Sequence, residues 1–319
     1  MNKPKIYIDG QAGTTGLEIV KRLSNREDIQ LLKIPDDKRH DDVVRKEYMK
    51  EANLVFLCLP DVASIEAMKL MDDKTKVIDA STAHRTDPDW VYGFPELSNQ
   101  QKQKIKSSYR VANPGCHATG FISIVYPLMK HQFIQKDTLL SCTSLTGYSG
   151  GGKSMIAQYE TEKISDLYAP RLYGLSLQHK HLKEMKQICH LEKTPLFCPV
   201  VDDYYRGMLT TIMIEGNKEE IVQLYQDFYQ DTFIEVTKDE ETYLSANLYA
   251  QKDNLKICIH GNDQQVMISA LFDNLGKGAS GAAIQNMNLM LGLEEYKGLS
   301  FSTEPKIDYA DYQAYKTAG

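Results

Sequence analysis

Cys116 is the residue whose surroundings point most directly to covalent chemistry. It lies in ANPGCHATG, after a Pro-Gly turn and before an apolar stretch with helical spacing. The N–H groups of a first helical turn favour the thiolate form of a cysteine, and a thiolate can attack an activated carbonyl carbon. This setting predicts a nucleophile. The other five cysteines lie mostly in strand-like runs and are interpreted as reduced core residues.

Two histidines and a carboxylate form a second group with chemical potential. In LQHKHLKEM, His179 and His181 are two residues apart, and Glu184 lies three residues further on. Extended backbone places side chains at this spacing on one side of the chain, which suits a general base and its orienting partner. The same spacing also suits a zinc site. A third interpretation is a pair of surface histidines before a helix.

A glycine pattern near the N-terminus predicts a dinucleotide site. Gly10, Gly13 and Gly16 form G-x-x-G-x-x-G between a strand-like run at 4–9 and an apolar pattern with helical spacing. Glycines in a strand-to-helix turn let the backbone bend and approach a pyrophosphate at the helix N-terminus. An alternative interpretation is a tight turn without a ligand.

The choice between NAD and NADP is left open by the residues themselves. Asp36 lies about where an acidic side chain binds the ribose of NAD. The adjacent Lys38 and Arg39 are able to pair with the 2′-phosphate of NADP.

Two further segments are suited to binding an anion. Ser81 and Arg85 in DASTAHR follow a predicted parallel strand at its carboxyl end, where ligands collect in open α/β sheets. The glycine-rich loop GYSGGGK at 147–153 can also close over an anion. Each segment is a weak indication alone, and the prediction of an anion site is stronger because Cys116 and the glycine turn occur in the same sequence.

The order of elements predicts how these residues are positioned. Strand-like runs at 4–9, 29–34, 53–60, 75–81 and 109–112 alternate with helical patterns. This alternation is typical of a doubly wound α/β domain. Beyond about residue 135, strands joined by turns predict a mixed α+β region. The tail from Lys277 is predicted to be helical and to pack against the first sheet.

Length and composition restrict the class of protein. The chain has 319 residues, with 37 basic and 43 acidic side chains for a net charge of −6, 42% apolar residues and 25% charged residues. These values predict a folded chain of two domains and argue against nucleic acid or an anionic membrane as the main partner. No apolar run reaches the ~20 residues of a membrane span. A cytoplasmic location is therefore expected.

In nine blocks, the sequence resembles the short type of N-acetyl-gamma-glutamyl-phosphate reductases of arginine biosynthesis, a family related to aspartate-semialdehyde dehydrogenases. The resemblance covers nearly the whole chain. The blocks are DGQAGTTG at 9–16, CLPD at 58–61, DASTAHR at 79–85, YGFPEL at 92–97, ANPGCHATG at 112–120, GYSGGGK at 147–153, HKHLKEM at 179–185, RGM at 206–208 and DNLGKGASGAAIQNMN at 273–288.

The resemblance implies a fold and an assembly. Residues 1–115 with 276–319 are expected to form a Rossmann-type NADP-binding domain whose sheet is completed by the C-terminal helix. Residues 116–275 are expected to form an inserted α+β domain for catalysis and oligomer contacts. A homodimer or homotetramer is implied, with a small acyl phosphate as substrate and no metal.

The resemblance also implies residue roles. Cys116 becomes the nucleophile and His179 the acid/base. The expected substrate contacts are Ser81, Arg85, His181, Glu184 and Arg206. The expected NADP(H) contacts are Gly10, Ala12, Gly13, Thr14, Thr15, Gly16, Lys38, Arg39, Pro60 and Asn274.

The implied reaction converts an acyl phosphate to an aldehyde through a Cys116 thioester, with NADPH as reductant. Within this chemistry, aspartate-semialdehyde dehydrogenase activity and an N-succinyl substrate are alternatives. Outside it, a zinc hydrolase would use His179, His181 and Glu184, and a non-enzymatic NAD(P) sensor would use the glycine turn alone.

Overall fold

A six-stranded parallel sheet forms the first layer of the computed structural model, which describes residues 3–237 and 241–301. Its strands are β1 (Lys5–Asp9), β2 (Gln30–Leu32), β3 (Leu54–Leu57), β4 (Lys76–Asp79), β5 (Val91–Tyr92) and β6 (Arg110–Ala112). Their spatial order is β2-β1-β3-β4-β6-β5. The chain runs from β1 to β2 on one side and returns to β3 on the other. The carboxyl edge between β1 and β3 is therefore the switch point at which such sheets bind ligands.

Four helices connect these strands: α1 (Thr14–Leu23), α2 (Asp42–Glu51), α3 (Asp61–Met68) and α4 (Asn99–Ser107). Side chains fix where two of them begin. Asp41 accepts the backbone N–H groups of Val43 and Val44 at the start of α2. Ser98 accepts the N–H of Gln101 at the start of α4. These N-caps satisfy donors that the helix itself leaves without partners.

The second layer is a seven-stranded mixed sheet. Its strands are β7 (Ser141–Gly147), β8 (Arg171–Leu172), β9 (Leu196–Asp202), β10 (Met208–Glu215), β11 (Ile234–Thr237), β12 (Leu255–Gly261) and β13 (Gln265–Phe272). Their spatial order is β11-β12-β13-β10-β7-β9-β8. The pairs β7–β9 and β11–β12 are parallel, and the other neighbours are antiparallel. The helices of this part are α5 (Cys116–Lys130), α6 (Gly152–Glu160), α7 (Leu182–Ile188) and α8 (Lys218–Phe228).

Helix α5 carries Cys116 at its first residue and is buried along most of its length. It packs against β10, β13 and α7. Pro127 lies inside this helix and has no N–H to donate to the carbonyl of Ser123. The hydroxyl of Tyr229 donates to that carbonyl at 2.7 Å, and Tyr225 donates to the next one, that of Ile124. The proline is therefore accommodated within a buried helix that begins at Cys116.

The last helix, α9 (Gly281–Leu291), returns to the first sheet after a π-helical turn at Gly276–Ser280. Its Ile284 and Met287 are buried in one cluster with Ile6 and Phe56 of the parallel sheet. The predicted completion of the Rossmann-type domain by the C-terminal helix is therefore confirmed, as is the mixed α+β character of the second part.

Element boundaries differ from the sequence-based expectation in one informative place. The strand predicted over 53–60 ends at Leu57, and α3 begins at Asp61. Pro60 precedes the helix, and its fixed φ and missing N–H suit a helix start rather than a strand. The domain limits given above stay a prediction. Positions 1–2, 238–240 and 302–319 lie outside the described residues.

Candidate active site

A cleft of about 470 Å³ is lined by eight of the predicted site residues, including the proposed nucleophile and both candidate histidines. It contains Gly13, Thr14 and Thr15 from the β1–α1 turn. Five further predicted site residues line it: Arg85, Cys116, His179, His181 and Asn274. The loop at 149–152, from GYSGGGK, lines the same cleft. The dinucleotide turn and the nucleophile therefore share one cavity.

The glycine turn is built so that backbone lies close to backbone. Gly10 has φ +84°, and a β-carbon there would lie 2.4 Å from the carbonyl oxygen of Cys58. A β-carbon on Gly16 would lie 2.5 Å from the carbonyl oxygen of Gly10. Any larger residue at either position would displace the backbone. Gly10 and Gly16 therefore allow the close packing of the turn, and Gly13 lines the cleft at the start of α1. A pyrophosphate binds at such a helix N-terminus.

Six predicted cofactor contacts do not line the cleft: Gly10, Ala12 and Gly16 of the glycine turn, together with Lys38, Arg39 and Pro60. Lys38 and Arg39 are exposed at the turn after β2, and Pro60 is exposed before α3. Asp36, which competes with them as a signal, is exposed as well. Within residues 3–237 and 241–301, none of these charged side chains forms an ion pair. Their charges are therefore available to a ligand.

The thiol of Cys116 has opposing influences on its pKa. Burial raises the pKa, while the backbone N–H of His117 and the charges of Arg85 and Lys180 lower it. Burial is the larger effect, and the pKa of the thiol is raised overall. The sequence-based expectation of N–H groups beside the sulfur is correct for His117, but these do not make the resting cysteine a thiolate. A base must therefore remove its proton.

His179 and His181 lie side by side, with ring centroids 4.7 Å apart. His181 is buried, and its Nε2 packs against Gly115, where an added β-carbon would meet it at 2.5 Å. The half-buried His179 accepts the backbone N–H of His181 on Nδ1 at 3.2 Å. Burial lowers the pKa of His179 to about 4 and that of His181 well below its ordinary value. Both rings are therefore neutral at pH 7.

A third imidazole supports this pair and was given no role by the sequence analysis. His117 hydrogen-bonds through Nδ1 to Ser144 Oγ at 2.7 Å and through Nε2 to Tyr173 at 2.5 Å. Its ring lies edge-on to His179, with centroids 5.4 Å apart. Burial lowers its pKa to about 3. His117 thus connects helix α5 to the segment that carries His179. In the sequence, the only indication of this role was its position next to Cys116.

Arg85 and Glu184 form a buried ion pair behind the nucleophile. Arg85 donates from Nη1 to Glu184 at 2.7 Å and from its other nitrogens to the carbonyls of Asn113 and Ala80, both at 2.9 Å. Glu184 also accepts the hydroxyl of Tyr92 at 2.8 Å and the N–H of Gly115 at 3.2 Å. The structure therefore places Glu184 as a partner of Arg85 and of the nucleophile turn.

Two predicted substrate residues are directed elsewhere. Ser81 is buried and donates its hydroxyl to Asp79 at 2.6 Å, and Asp79 also pairs with Nδ1 of His84 at 2.6 Å. Arg206 donates from Nε to Asp273 at 2.5 Å. Neither Ser81 nor Arg206 lines the cleft. Their predicted contact with substrate gains no support from these positions.

Asn274 does line the cleft and connects its walls. Its side-chain oxygen accepts the N–H of Gly207 at 2.8 Å, and its nitrogen donates to Ser149 at 2.9 Å. It therefore fixes the glycine-rich loop that faces the β1–α1 turn. In the part of the chain that the structure describes, no group of three His, Cys, Asp or Glu side chains could hold a metal ion. The same residues contain no helix long and apolar enough to cross a membrane.

Comparison with known families gives matches over both layers. Residues 5–105 match the family model of the semialdehyde dehydrogenase NAD-binding domain, and residues 116–274 match that of the semialdehyde dehydrogenase dimerisation domain. The second match begins at Cys116.

Curated relatives match along nearly the whole chain. A Nostoc N-acetyl-gamma-glutamyl-phosphate reductase 2 is 42% identical over 322 aligned residues, covering 94% of this chain and all of the relative. The N-acetyl-gamma-glutamyl-phosphate reductase of Brucella anthropi is 43% identical over 309 residues, covering 91% of this chain and 99% of the relative.

Solved structures share the fold at low identity. Aspartate semialdehyde dehydrogenase II of Vibrio cholerae, in complex with ASA, has a TM-score of 0.68 at 15% identity and covers 92% of this chain and 99% of its own. The aspartate semialdehyde dehydrogenase of Candida albicans with NADP has a TM-score of 0.63 at 13% identity and covers 91% and 99%.

Proposed function

Because the chain belongs to the N-acetyl-gamma-glutamyl-phosphate reductase family, we propose that it reduces N-acetyl-L-glutamyl 5-phosphate to N-acetyl-L-glutamate 5-semialdehyde and phosphate, with NADPH, in arginine biosynthesis. The observation that carries the proposal is that one cleft contains Cys116, three imidazoles and the end of the β1–α1 glycine turn. The cleft could thus hold a dinucleotide next to the residue that would form the covalent intermediate.

The cofactor would be held at the start of α1. Gly13, Thr14 and Thr15 face the cleft there, and the closely packed Gly10 and Gly16 keep the turn open to a pyrophosphate. When bound, NADPH supplies the hydride that reduces the acyl group. The exposed Lys38 and Arg39 would pair with the 2′-phosphate that distinguishes NADPH from NADH.

Replacing both Lys38 and Arg39 by alanine is expected to weaken NADPH binding by about 1–3 kcal/mol, the range of lost charge-assisted hydrogen bonds. NADH binding should change little, because NADH has no 2′-phosphate. Titration calorimetry with both dinucleotides measures the difference. Equal losses for the two would contradict a role in 2′-phosphate recognition.

The first chemical step belongs to Cys116 and a neutral imidazole. We assign the removal of the thiol proton to His181, because its Nε2 packs against Gly115 next to the nucleophile. Among the described residues, no side chain or backbone group partners its Nδ1. The sulfur then attacks the acyl carbon, phosphate leaves with the electron pair of the C–O bond, and a thioester remains.

His179, the acid/base named by the sequence analysis, is suited to donating a proton. Its Nδ1 accepts the N–H of His181, so the proton of the neutral ring resides on Nε2. A ring in that state can stabilise or protonate an oxygen that gains negative charge. After reduction, the thiohemiacetal on Cys116 collapses: its hydroxyl proton leaves, the carbonyl forms and the C–S bond breaks. The thiol then regains a proton from the imidazole pair.

We also propose that the chain assembles as a homodimer or homotetramer through the outer face of the seven-stranded sheet. Residues 116–274 match a dimerisation-domain model. Met213 of β10 is 71% exposed and Leu196 of β9 is 51% exposed on this face, and apolar side chains grouped on a surface favour burial by a partner. A sedimentation mass of a single chain would refute this assembly.

The reverse reaction tests the proposed function. Phosphate-dependent reduction of NADP should proceed with N-acetyl-glutamate semialdehyde at a higher kcat/KM than with N-succinyl-glutamate semialdehyde or aspartate semialdehyde. A preference for aspartate semialdehyde would assign the alternative activity. No phosphate-dependent reduction with any of the three aldehydes would overturn the proposal.

A further inference from the structure

One of the cations that line the cleft forms no ion pair among the described residues. Among the described residues, Arg85 and Lys180 are the cationic side chains of Lys or Arg type that line it. Arg85 is neutralised by Glu184 at 2.7 Å, and its three nitrogens already donate to Glu184, Asn113 and Ala80. The charge of Arg85 is therefore already compensated, and three of its five N–H donors are engaged before any anion arrives.

Lys180 is in the opposite situation. It is exposed between His179 and His181, and within residues 3–237 and 241–301 no carboxylate lies within 4.0 Å of it. Together with Arg85, its charge lowers the pKa of the Cys116 thiol, and it also lowers the pKa of the Asp61 carboxyl. Lys180 therefore acts on the reacting sulfur.

We propose that Lys180 binds the phosphate group of the acyl-phosphate substrate and stabilises it as it leaves, which makes Lys180 a specificity-determining residue of the proposed reaction. The inference rests on the proposed function. The C–O bond that breaks belongs to the carbon attacked by Cys116, so the phosphate lies beside the sulfur. The carboxylate of an N-acyl-glutamyl chain is several bonds away. Charge-assisted contacts to phosphate are strong and suit a lysine on a flexible stem.

Reverse-direction kinetics separates the two anions, because inorganic phosphate and the aldehyde then bind as different substrates. Lys180→Gln is expected to raise the KM for phosphate roughly tenfold, as expected for loss of one charge-assisted contact, with the KM for the aldehyde nearly unchanged. Lys180→Arg should restore most of the phosphate affinity. Lys183→Gln, an exposed lysine on α7 outside the cleft lining, is the matched control. A raised KM for the aldehyde alone would overturn the phosphate assignment.

A second measurement does not need turnover. Iodoacetate is anionic and iodoacetamide is neutral, and each alkylates Cys116 as the sulfur displaces iodide. Lys180→Gln should lower the iodoacetate-to-iodoacetamide rate ratio several-fold, and Lys183→Gln should leave it unchanged. Any change in the thiol pKa affects both reagents equally and cancels in the ratio. An unchanged ratio in Lys180→Gln would overturn the proposal, even for a protein inactive with all three aldehydes.

Discussion

Cys116→Ser is expected to lower kcat by roughly a thousandfold or more, because a serine hydroxyl is little ionised near neutral pH and is a poor leaving group from the adduct. NADPH affinity should be retained, since the glycine turn that would hold the cofactor lies on a different element. Steady-state assays and fluorescence titration with NADPH measure the two quantities separately.

Cys198→Ser provides the matched control for this substitution. Cys198 is also half-buried, but it lies on β9 and does not line the cleft. Its replacement should leave turnover within about a factor of two, as is usual for a mild substitution away from the chemistry. Near-normal activity in Cys116→Ser would contradict the thioester route. Loss of NADPH binding in that variant would instead indicate a damaged fold.

Local features of the chain could be predicted because the residues that determine them are close in sequence. The glycine turn, the start of α5 at Cys116 and the alternation of strands and helices depend on short spacings and hydrophobic periodicity. The resemblance over nine blocks then indicated the order of the domains. The predicted strand that ended at Pro60 was too long, because an apolar run does not show where the hydrogen bonds between neighbouring strands stop.

The contacts that divide roles within the site could not be predicted in this way. Arg85 and Glu184 are 99 residues apart, and their pairing depends on how helix α7 packs behind the nucleophile turn. In sequence they looked like two free substrate contacts. In the structure their charges neutralise each other, and Lys180 is then the cation in the cleft without an ion pair among the described residues. His117 was likewise hidden, because its partners Ser144 and Tyr173 come from other elements.

Zinc chemistry and reductase chemistry make different demands on the same three residues, His179, His181 and Glu184. A zinc site needs its ligands to converge on one point, whereas the carboxylate of Glu184 accepts hydrogen bonds from Arg85, Tyr92 and Gly115 and does not line the cleft with the two histidines. In the proposed reductase, this carboxylate holds the turn before Cys116 through the N–H of Gly115. Full activity in the presence of a chelator is therefore expected, together with unequal effects of replacing the two histidines.

His181→Asn is expected to lower kcat by about 10²–10⁴, the range contributed by a positioned general base, with little change in KM. His179→Asn should cause a smaller loss, because water can replace part of a proton donor at a half-exposed position. His190→Asn is the control, since His190 is exposed after α7 and its φ of 55° is one that asparagine adopts readily. Steady-state kinetics of the three variants gives the comparison.

The pH profile adds a test that does not depend on the size of these losses. A base whose pKa is lowered stays unprotonated as the pH falls, and it loses function only when the pH passes through that lowered value. The pKa of His179 is about 4 and that of His181 is also well below 6.5. Wild-type kcat/KM should therefore change little between pH 7 and pH 5.5. An acid limb near pH 6.5 would contradict buried neutral imidazoles. A larger kcat loss in His179→Asn than in His181→Asn would return the role of base to His179.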